Sequence, residues 1–283
     1  MSYEIRPLHT YTGSEVVGLD LSKALDRETR DRLDRELAER GVLVFRDQHL
    51  GPPDFIRAIE NFGELMEQQV KKFSLPDHPI VGYISSRDLA DPQPAAGSKA
   101  SVRGENYHTD HSNFLAPPKA TALCAVDLPA SGGDTQFVNV QAAYADLPAE
   151  MREKLDALRS RHVFQSSRSP RKFVALSDEE RKAIPETEQP LVVSHPLTGR
   201  KGLYLNTGRM EGIVGLPDAE AASLIDGLMS HATSEKYEYR HRWRPGDVVI
   251  WDNRTVMHKA NADVPPDQYR YLYRLMVKGQ PLT

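Results

Sequence analysis

One cysteine, two tryptophans and no surplus of positive charge are what this chain of 283 residues has least of. With Cys124 as the sole thiol, no disulfide can close within the chain, and a reducing compartment, the cytoplasm, is the expected home. A formal net charge of −4 offers no basic field to a phosphate backbone, so DNA and RNA are not expected partners. No apolar run approaches the roughly 20 residues that a membrane helix needs. The opening Met1-Ser2-Tyr3-Glu4-Ile5-Arg6 lacks the charged-then-apolar order of a secretion signal, so none is expected. There is no internal repeat, no low-complexity tract and no clean boundary, and one domain over residues 1–283 is the expected organisation.

What is present is a mixed first quarter followed by many short strands. Residues 5–8 and 16–21 read as short strands. Residues 26–40 read as a helix with Leu25, Leu33 and Leu37 on one stripe, ended by Gly41. Residues 41–46 then read as a buried strand, and 53–62 as a second helix with Pro52 and Pro53 in its first turn. Beyond Thr121, strands are expected at 121–127, 136–140, 191–195, 203–206, 237–243, 248–251 and 269–278. One helix at 217–232 interrupts them, with Ala221, Leu224, Ile225 and Leu228 on one face. Many short strands with turn signals predict a mainly β fold with flanking helices, a sandwich or jelly roll. Two polar stretches, 88–104 and 166–188, lack apolar periodicity and read as long loops, either lids over a site or surface insertions.

The chemistry concentrates in His108-Thr109-Asp110, answered much later in the chain by His258. In a strand, residues i and i+2 share a face. His108 and Asp110 can then present an imidazole and a carboxylate to one ion, with His258 delivered from a later strand or turn. Two neutral nitrogens and one hard oxygen suit Fe(II), and three ligands leave about three of six positions open. The same ligand types also serve zinc hydrolases, and His-x-Asp arises by chance in a chain with ten histidines. His111 follows Asp110 and, in a strand, would point to the opposite face. In the run Arg270-Tyr271-Leu272-Tyr273-Arg274, alternation puts both arginines on one face. Asp252 and Asn253 read as a turn that delivers His258. Trp243 and Trp251 read as core, and Cys124 as an inert buried thiol.

These residues belong to an ordered series: Asn106-Tyr107-His108-Thr109-Asp110, Ala116-Pro117-Pro118, Gly132-Gly133-Asp134-Thr135, His195-Pro196 and Gly199-Arg200-Lys201-Gly202-Leu203-Tyr204. It continues with Arg242-Trp243-Arg244-Pro245-Gly246-Asp247, Trp251-Asp252-Asn253-Arg254 up to His258, then Arg270 and Arg274. The stretch from Val42 to Asp47 and Phe62-Gly63-Glu64-Leu65 match early segments. Together they resemble the taurine dioxygenase and 2,4-dichlorophenoxyacetate dioxygenase (TauD/TfdA) family of Fe(II)- and 2-oxoglutarate-dependent dioxygenases, over nearly the whole chain. The resemblance implies a double-stranded β-helix, a cupin-like jelly roll, with a small-molecule substrate and a homo-oligomeric assembly. It implies His108, Asp110 and His258 as the catalytic iron ligands, and Thr135 and Arg270 as the holders of the distal carboxylate of 2-oxoglutarate, with O2 as cosubstrate. A guanidinium suits that task because it gives a carboxylate paired, charge-assisted hydrogen bonds.

On the substrate side the resemblance points to Arg274 and Ser167, and Gln68, His111 and Asn113 are further candidate substrate contacts, the last two being polar groups at positions usually apolar in the family. Departures are concentrated there: Gln68 and Lys71 stand where the taurine enzyme has a histidine and a tyrosine, Arg168 where it has an aromatic, and Gly104 where it has an asparagine. These departures tell against taurine itself. The expected reaction is oxidation of an unactivated C–H bond in a small anionic molecule (a sulfonate, sulfate ester, aryloxy-carboxylate or amino-acid-like compound), with release of succinate and CO2. Desaturation in a biosynthetic pathway is the alternative outcome. A non-redox metal hydrolase is the alternative class, against which Thr135 and Arg270 argue. Lys71 and Lys72 read as a solvated pair.

Overall fold

The computed structural model describes residues 3–68, 71–87, 104–169 and 186–283. The expected loop over 88–104 lies outside the described residues apart from Gly104, and so does the central part of the stretch over 166–188. In chain order the strands are β1 (Glu4–Pro7), β2 (Ser14–Val17), β3 (Val42–Phe45), β4 (Ser74–Leu75), β5 (His78–Ser85), β6 (Ala120–Asp127), β7 (Thr135–Asn139) and β8 (Arg159–His162). They continue with β9 (Thr187–Pro190), β10 (Val192–Ser194), β11 (Lys201–Leu203), β12 (Met210–Ile213), β13 (Glu238–His241), β14 (Val248–Asp252), β15 (Val256–Ala260) and β16 (Tyr271–Val277). The helices are α1 (Arg27–Arg40), α2 (Pro52–Glu60), α3 (Val140–Ala145), α4 (Ala149–Asp156) and α5 (Asp218–Ala232).

The largest sheet runs β1-β2-β3-β14-β6-β16-β5-β4, and a second, three-stranded sheet runs β13-β7-β15. Val42, Val44, Leu123, Ala125, Val249, Trp251 and Leu272 from the first sheet meet Phe137 and Val256 from the second, and this contact is the interior of the jelly roll. The alternate residues of the same strands, Leu43, Phe45, Ala122, Cys124 and Ile250, face the other way and pack with Leu33 and Leu37 of α1 and Phe55 and Ile59 of α2. Covering by helices on one side and by the second sheet on the other explains why Val42–Phe45 reads as a continuous apolar run with no alternation. On the far side of the small sheet, Val138 and Met257 pack with Ala143 of α3 and with Ile225 and Leu228 of α5. The order is therefore helices, large sheet, small sheet, helices, with the functional residues facing the space between the sheets.

The first helix keeps close to its expected bounds: the Asp26 carboxylate accepts from the Thr29 amide at 2.7 Å, and the helix stops at Gly41, whose amide donates to Leu37. Cys124 is buried, and burial pushes its thiol up to about 12. Elsewhere the strands differ from the periodicity. The strand expected at 203–206 ends at Leu203, because Asn206 turns the chain by accepting from the amides of Arg209 and Met210. The strand expected at 237–243 is shorter, since Tyr237 closes a 3-10 turn. A third sheet, β12-β8-β9, was not expected at all. On β8 and β9 the buried side chains are polar, Ser160, His162 and Gln189, so these two strands carry no apolar alternation to read.

The expected turn between β14 and β15 is present: Arg254 donates its amide to Asp252 Oδ1 at 2.8 Å, and Thr255 to the Asp252 carbonyl at 3.1 Å. The Asp252 carboxylate also accepts from Arg254 Nε at 2.9 Å and lies 3.1 Å from His195 Nε2. Burial pushes this carboxyl up, but Arg254 and His195 outweigh it and hold it well below the usual range. Asp252→Asn leaves Arg254 buried without its charge partner and should cost about 3–5 kcal/mol in urea unfolding at neutral pH. A depressed native pKa stabilises above the unfolded carboxylate pKa and is lost below it. The gap between wild type and variant should therefore narrow as the pH falls below about 4. A gap that is small at pH 7, or that widens in acid, would remove this cluster from the stability of the turn.

Candidate active site

β15 puts Val256 and His258 on the interior face, while Met257 points to the outer helices. His108 meets it through a single antiparallel bridge: His108 N donates to His258 O at 3.0 Å, and His258 N to His108 O at 2.9 Å. That pairing fixes the two imidazoles 4.2 Å apart by ring centroid. Asp110 completes the group. Its Oδ1 is 3.8 Å from His108 Nε2 and its Oδ2 is 4.0 Å from His258 Nε2. One ligand atom from each of the three lies within 4.8 Å of the others, and among the described residues this is the cluster with the donor set of a metal site.

The protonation states suit an ion. His108 Nδ1 donates to the Asn106 carbonyl at 2.8 Å, which fixes the ring and turns Nε2 toward the centre. Burial, helped by the neighbouring His108, pushes His258 down to about 3 and leaves that ring neutral. Burial pushes the Asp110 carboxyl up, yet His258, His108 and Arg274 outweigh it and hold it ionised, well below its usual range. Two imidazoles and one carboxylate, converging without a hydrogen bond between them, fit a divalent cation.

Asp110 does not reach this position on a strand. Only His108 bridges, and the chain then turns, with His111 at a φ of 47°. Contrary to the strand expected from the sequence, a left-handed backbone rather than strand alternation separates His111 from the ligand face. Asn253 anchors the turn. Its carbonyl accepts from Thr109 Oγ1 at 2.8 Å, and its side-chain amide donates to Thr121 Oγ1 at 3.0 Å. Thr121 in turn donates to Asp110 Oδ2 at 2.6 Å. The unexpected third sheet holds the segment after Asp110. His162 lies 2.9 Å from Ser112 Oγ, and Gln189 donates to the carbonyls of Ser112 at 3.2 Å and Phe114 at 2.6 Å. The polar interior of that sheet is therefore a clamp on the chain beside the ligand turn.

Thr135 on β7 and Arg270 just before β16 meet on the same interior space. An Arg270 terminal nitrogen donates to Thr135 Oγ1 at 3.3 Å, and Trp243 Nε1 approaches the same oxygen at 3.1 Å. Arg270 is buried, its Nε has no partner, and burial pushes the guanidinium down to about 10. Gly133, at a φ of 72°, makes room for it: a Cβ there would stand 2.7 Å from Arg270 Cδ.

Arg274 shares the interior face with Leu272, as the alternation implied. It donates to the Gln68 side-chain oxygen at 2.7 Å, and the other end of that amide donates to the Ile80 carbonyl at 3.1 Å. Gly82, paired with Arg274 across β5 and β16, leaves space for Gln68; a Cβ would come within 2.6 Å of its oxygen. His111 is buried with its Nδ1 unpartnered, and burial pushes it down to about 3. Asn113 accepts from Arg209, a residue the sequence reading did not single out. The missed signal was its place five residues after the matching Gly199–Tyr204 segment. Ser167 is not drawn into this group: it is exposed, with its amide bonded to Glu211 at 2.8 Å. Arg168 is committed to Asp226 of α5, and Lys71 and Lys72 are exposed.

The family model described as "Taurine catabolism dioxygenase TauD, TfdA family" matches residues 4–276. The chain is 33% identical over 266 residues to the alpha-ketoglutarate-dependent 2,4-dichlorophenoxyacetate dioxygenase of Cupriavidus pinatubonensis, covering 92% of each. It is 33% identical over 289 residues to the alpha-ketoglutarate-dependent sulfate ester dioxygenase of Pseudomonas putida, covering 99% of this chain and 91% of that one. The crystal structure of a taurine dioxygenase from Burkholderia xenovorans superposes with a TM-score of 0.83 at 32% identity, covering 100% of this chain and 91% of that one.

Proposed function

The chain belongs to the TauD/TfdA family of 2-oxoglutarate-dependent dioxygenases, and on that premise we propose that it holds Fe(II) between His108, Asp110 and His258 and hydroxylates a small anionic substrate. It is an oxidoreductase that uses 2-oxoglutarate and O2, on a jelly-roll fold. The observation that carries the iron assignment is the convergence of three donor atoms within 4.8 Å, opening onto the same interior that holds Thr135 and Arg270. Relatives are named for an aryloxyacetate and for sulfate esters, both anionic, and the substrate-side Arg274 suits such a group.

A ferrous ion held there would supply the redox-active centre at which O2 takes two electrons from 2-oxoglutarate and two from a C–H bond, giving succinate, CO2 and an alcohol. The chain's own residues do the positioning. His108, His258 and the ionised Asp110 would hold the ion from one side. Arg270 and Thr135 hold the distal carboxylate of 2-oxoglutarate, which fixes the other end of the molecule toward the three ligands. Arg274, oriented by Gln68, holds the substrate's anion and sets which carbon lies nearest the centre. Trp243 and Phe137 keep the surroundings apolar and exclude water. No helix of the described residues is long and apolar enough to cross a membrane.

The test is an anaerobic titration of the metal-free protein with Fe(II) and 2-oxoglutarate, followed by visible absorbance. A charge-transfer band that needs both components is the expected result. A folded, metal-loaded protein that gives no such band would overturn the assignment and direct attention to hydrolysis.

A further inference from the structure

Two guanidiniums approach the Asp110 side of the centre, and neither forms an ion pair among the described residues. Arg274 rests on the Gln68 amide oxygen at 2.7 Å, with its Nε buried and unpartnered. Arg209 rests on the Asn113 amide oxygen and lies over the Phe164 ring, 5.1 Å from its centroid. Amide oxygens satisfy N–H donors but bring no counter-charge. Both side chains are partly buried rather than sealed in the core. The carboxylate whose charge favours both is Asp110.

Loading the centre takes that counter-charge away. A divalent ion brings two positive charges, which Asp110 and the chelating carboxylate of 2-oxoglutarate cancel. The distal carboxylate is matched by Arg270. Among the described residues, Arg209 and Arg274 then remain as two positive charges without an ion-pair partner. We propose that the substrate is a dianion whose two negative charges are shared between Arg209 and Arg274, an assignment that rests on the iron and 2-oxoglutarate reading above. A singly charged substrate would leave one of these partly buried guanidiniums uncompensated, and a desolvated cation without a partner is costly. Burial already pushes the Arg209 guanidinium down to about 10, and Arg274 down as well, which is the direction expected of cations short of a partner. Arg168, the other arginine near this side in sequence, is neutralised by Asp226 and adds nothing to the count.

The test uses the protein loaded anaerobically with Fe(II) and 2-oxoglutarate. The probes are 3-sulfopropanoate and 4-sulfobutanoate, each with two acidic groups, against propane-1-sulfonate and butane-1-sulfonate, each with one. Binding is read by calorimetry and by the shift of the charge-transfer band. Each dianion should bind about tenfold tighter or more than its singly charged match, as one added charge-assisted contact gives. Its affinity should fall more steeply with ionic strength. Arg209→Met should erase the preference, and Arg209→Lys, which keeps the charge, should restore much of it; thermal melting reports whether each variant is folded. Equal affinities for the two probe classes, or a preference that survives Arg209→Met, would overturn the proposal. Absence of the band before any probe is added would overturn the cofactor reading and this assignment together. A normal band without the preference would overturn this assignment alone.

Discussion

Asp110→Asn is expected to abolish ferrous binding and 2-oxoglutarate turnover while leaving the protein folded. The carboxylate is the sole negative charge among the three converging donors, and its loss takes both the charge and one ligand from the cation. The effect should exceed the roughly 10–100-fold that loss of a supporting contact costs. Asparagine is the informative replacement because its side-chain oxygen can still accept from Thr121, which donates to Asp110 at 2.6 Å. Alanine cannot, and it strands a buried hydroxyl at a cost of about 1–3 kcal/mol. The two variants should therefore share the loss of activity and of the Fe(II) signal, but differ in melting temperature, with Asp110→Ala lower. Asn253→Ala tests the layer behind: it loosens the Asn253–Thr121 contact of 3.0 Å and should weaken metal affinity by the smaller factor. Iron-dependent turnover in Asp110→Asn near the wild-type rate would sink the ligand assignment.

The contrast between Asp110 and Arg209 shows what a sequence carries and what it hides. His108, Asp110, His258, Thr135 and Arg270 are legible because each sits inside a local motif, and the motifs recur in a fixed order. The pairing of Arg270 and Arg274 on one face follows from strand alternation alone, and Leu272 between them in sequence confirms which face that is. The left-handed turn at His111 was not legible, since only the folded contacts of Asn253 with Thr109 and Thr121 determine it. The sheet β12-β8-β9 was hidden for a different reason: the buried residues of β8 and β9 hydrogen-bond instead of being apolar, so Ser160, His162 and Gln189 look like surface. That sheet matters for function, because it holds Ser112 and the Phe114 carbonyl next to the ligand turn. Arg209 was hidden most deeply. A lone arginine after a glycine reads as a solvated side chain, and nothing local says that Asn113, far earlier in the chain, will receive it.

Arg270→Met should separate cosubstrate binding from metal binding. Among the described residues Arg270 is a buried cation whose hydrogen-bond acceptor is the neutral Thr135 hydroxyl at 3.3 Å, while Asp134 pairs with Arg240 at 2.7 Å. Burial pushes its guanidinium down to about 10, and the distal carboxylate of 2-oxoglutarate would supply the counter-charge that favours its cationic form. Replacing it with methionine should leave the melting temperature of the ligand-free protein equal or slightly raised. The same change should remove the stabilisation that added 2-oxoglutarate gives the wild type. Loss of a buried, charge-assisted contact costs about 2–5 kcal/mol, which places the rise in the KM for 2-oxoglutarate on the order of 30-fold to several thousandfold. Iron affinity should not change, because His108, Asp110 and His258 are untouched. Arg270→Lys should recover only part of the loss, since an ammonium brings the charge but not the planar fork. Thr135→Val, which removes one neutral hydrogen bond and the acceptor of Trp243 Nε1, should have a smaller effect in the same direction. A KM for 2-oxoglutarate that stays at the wild-type value in Arg270→Met would place the distal carboxylate on another cation.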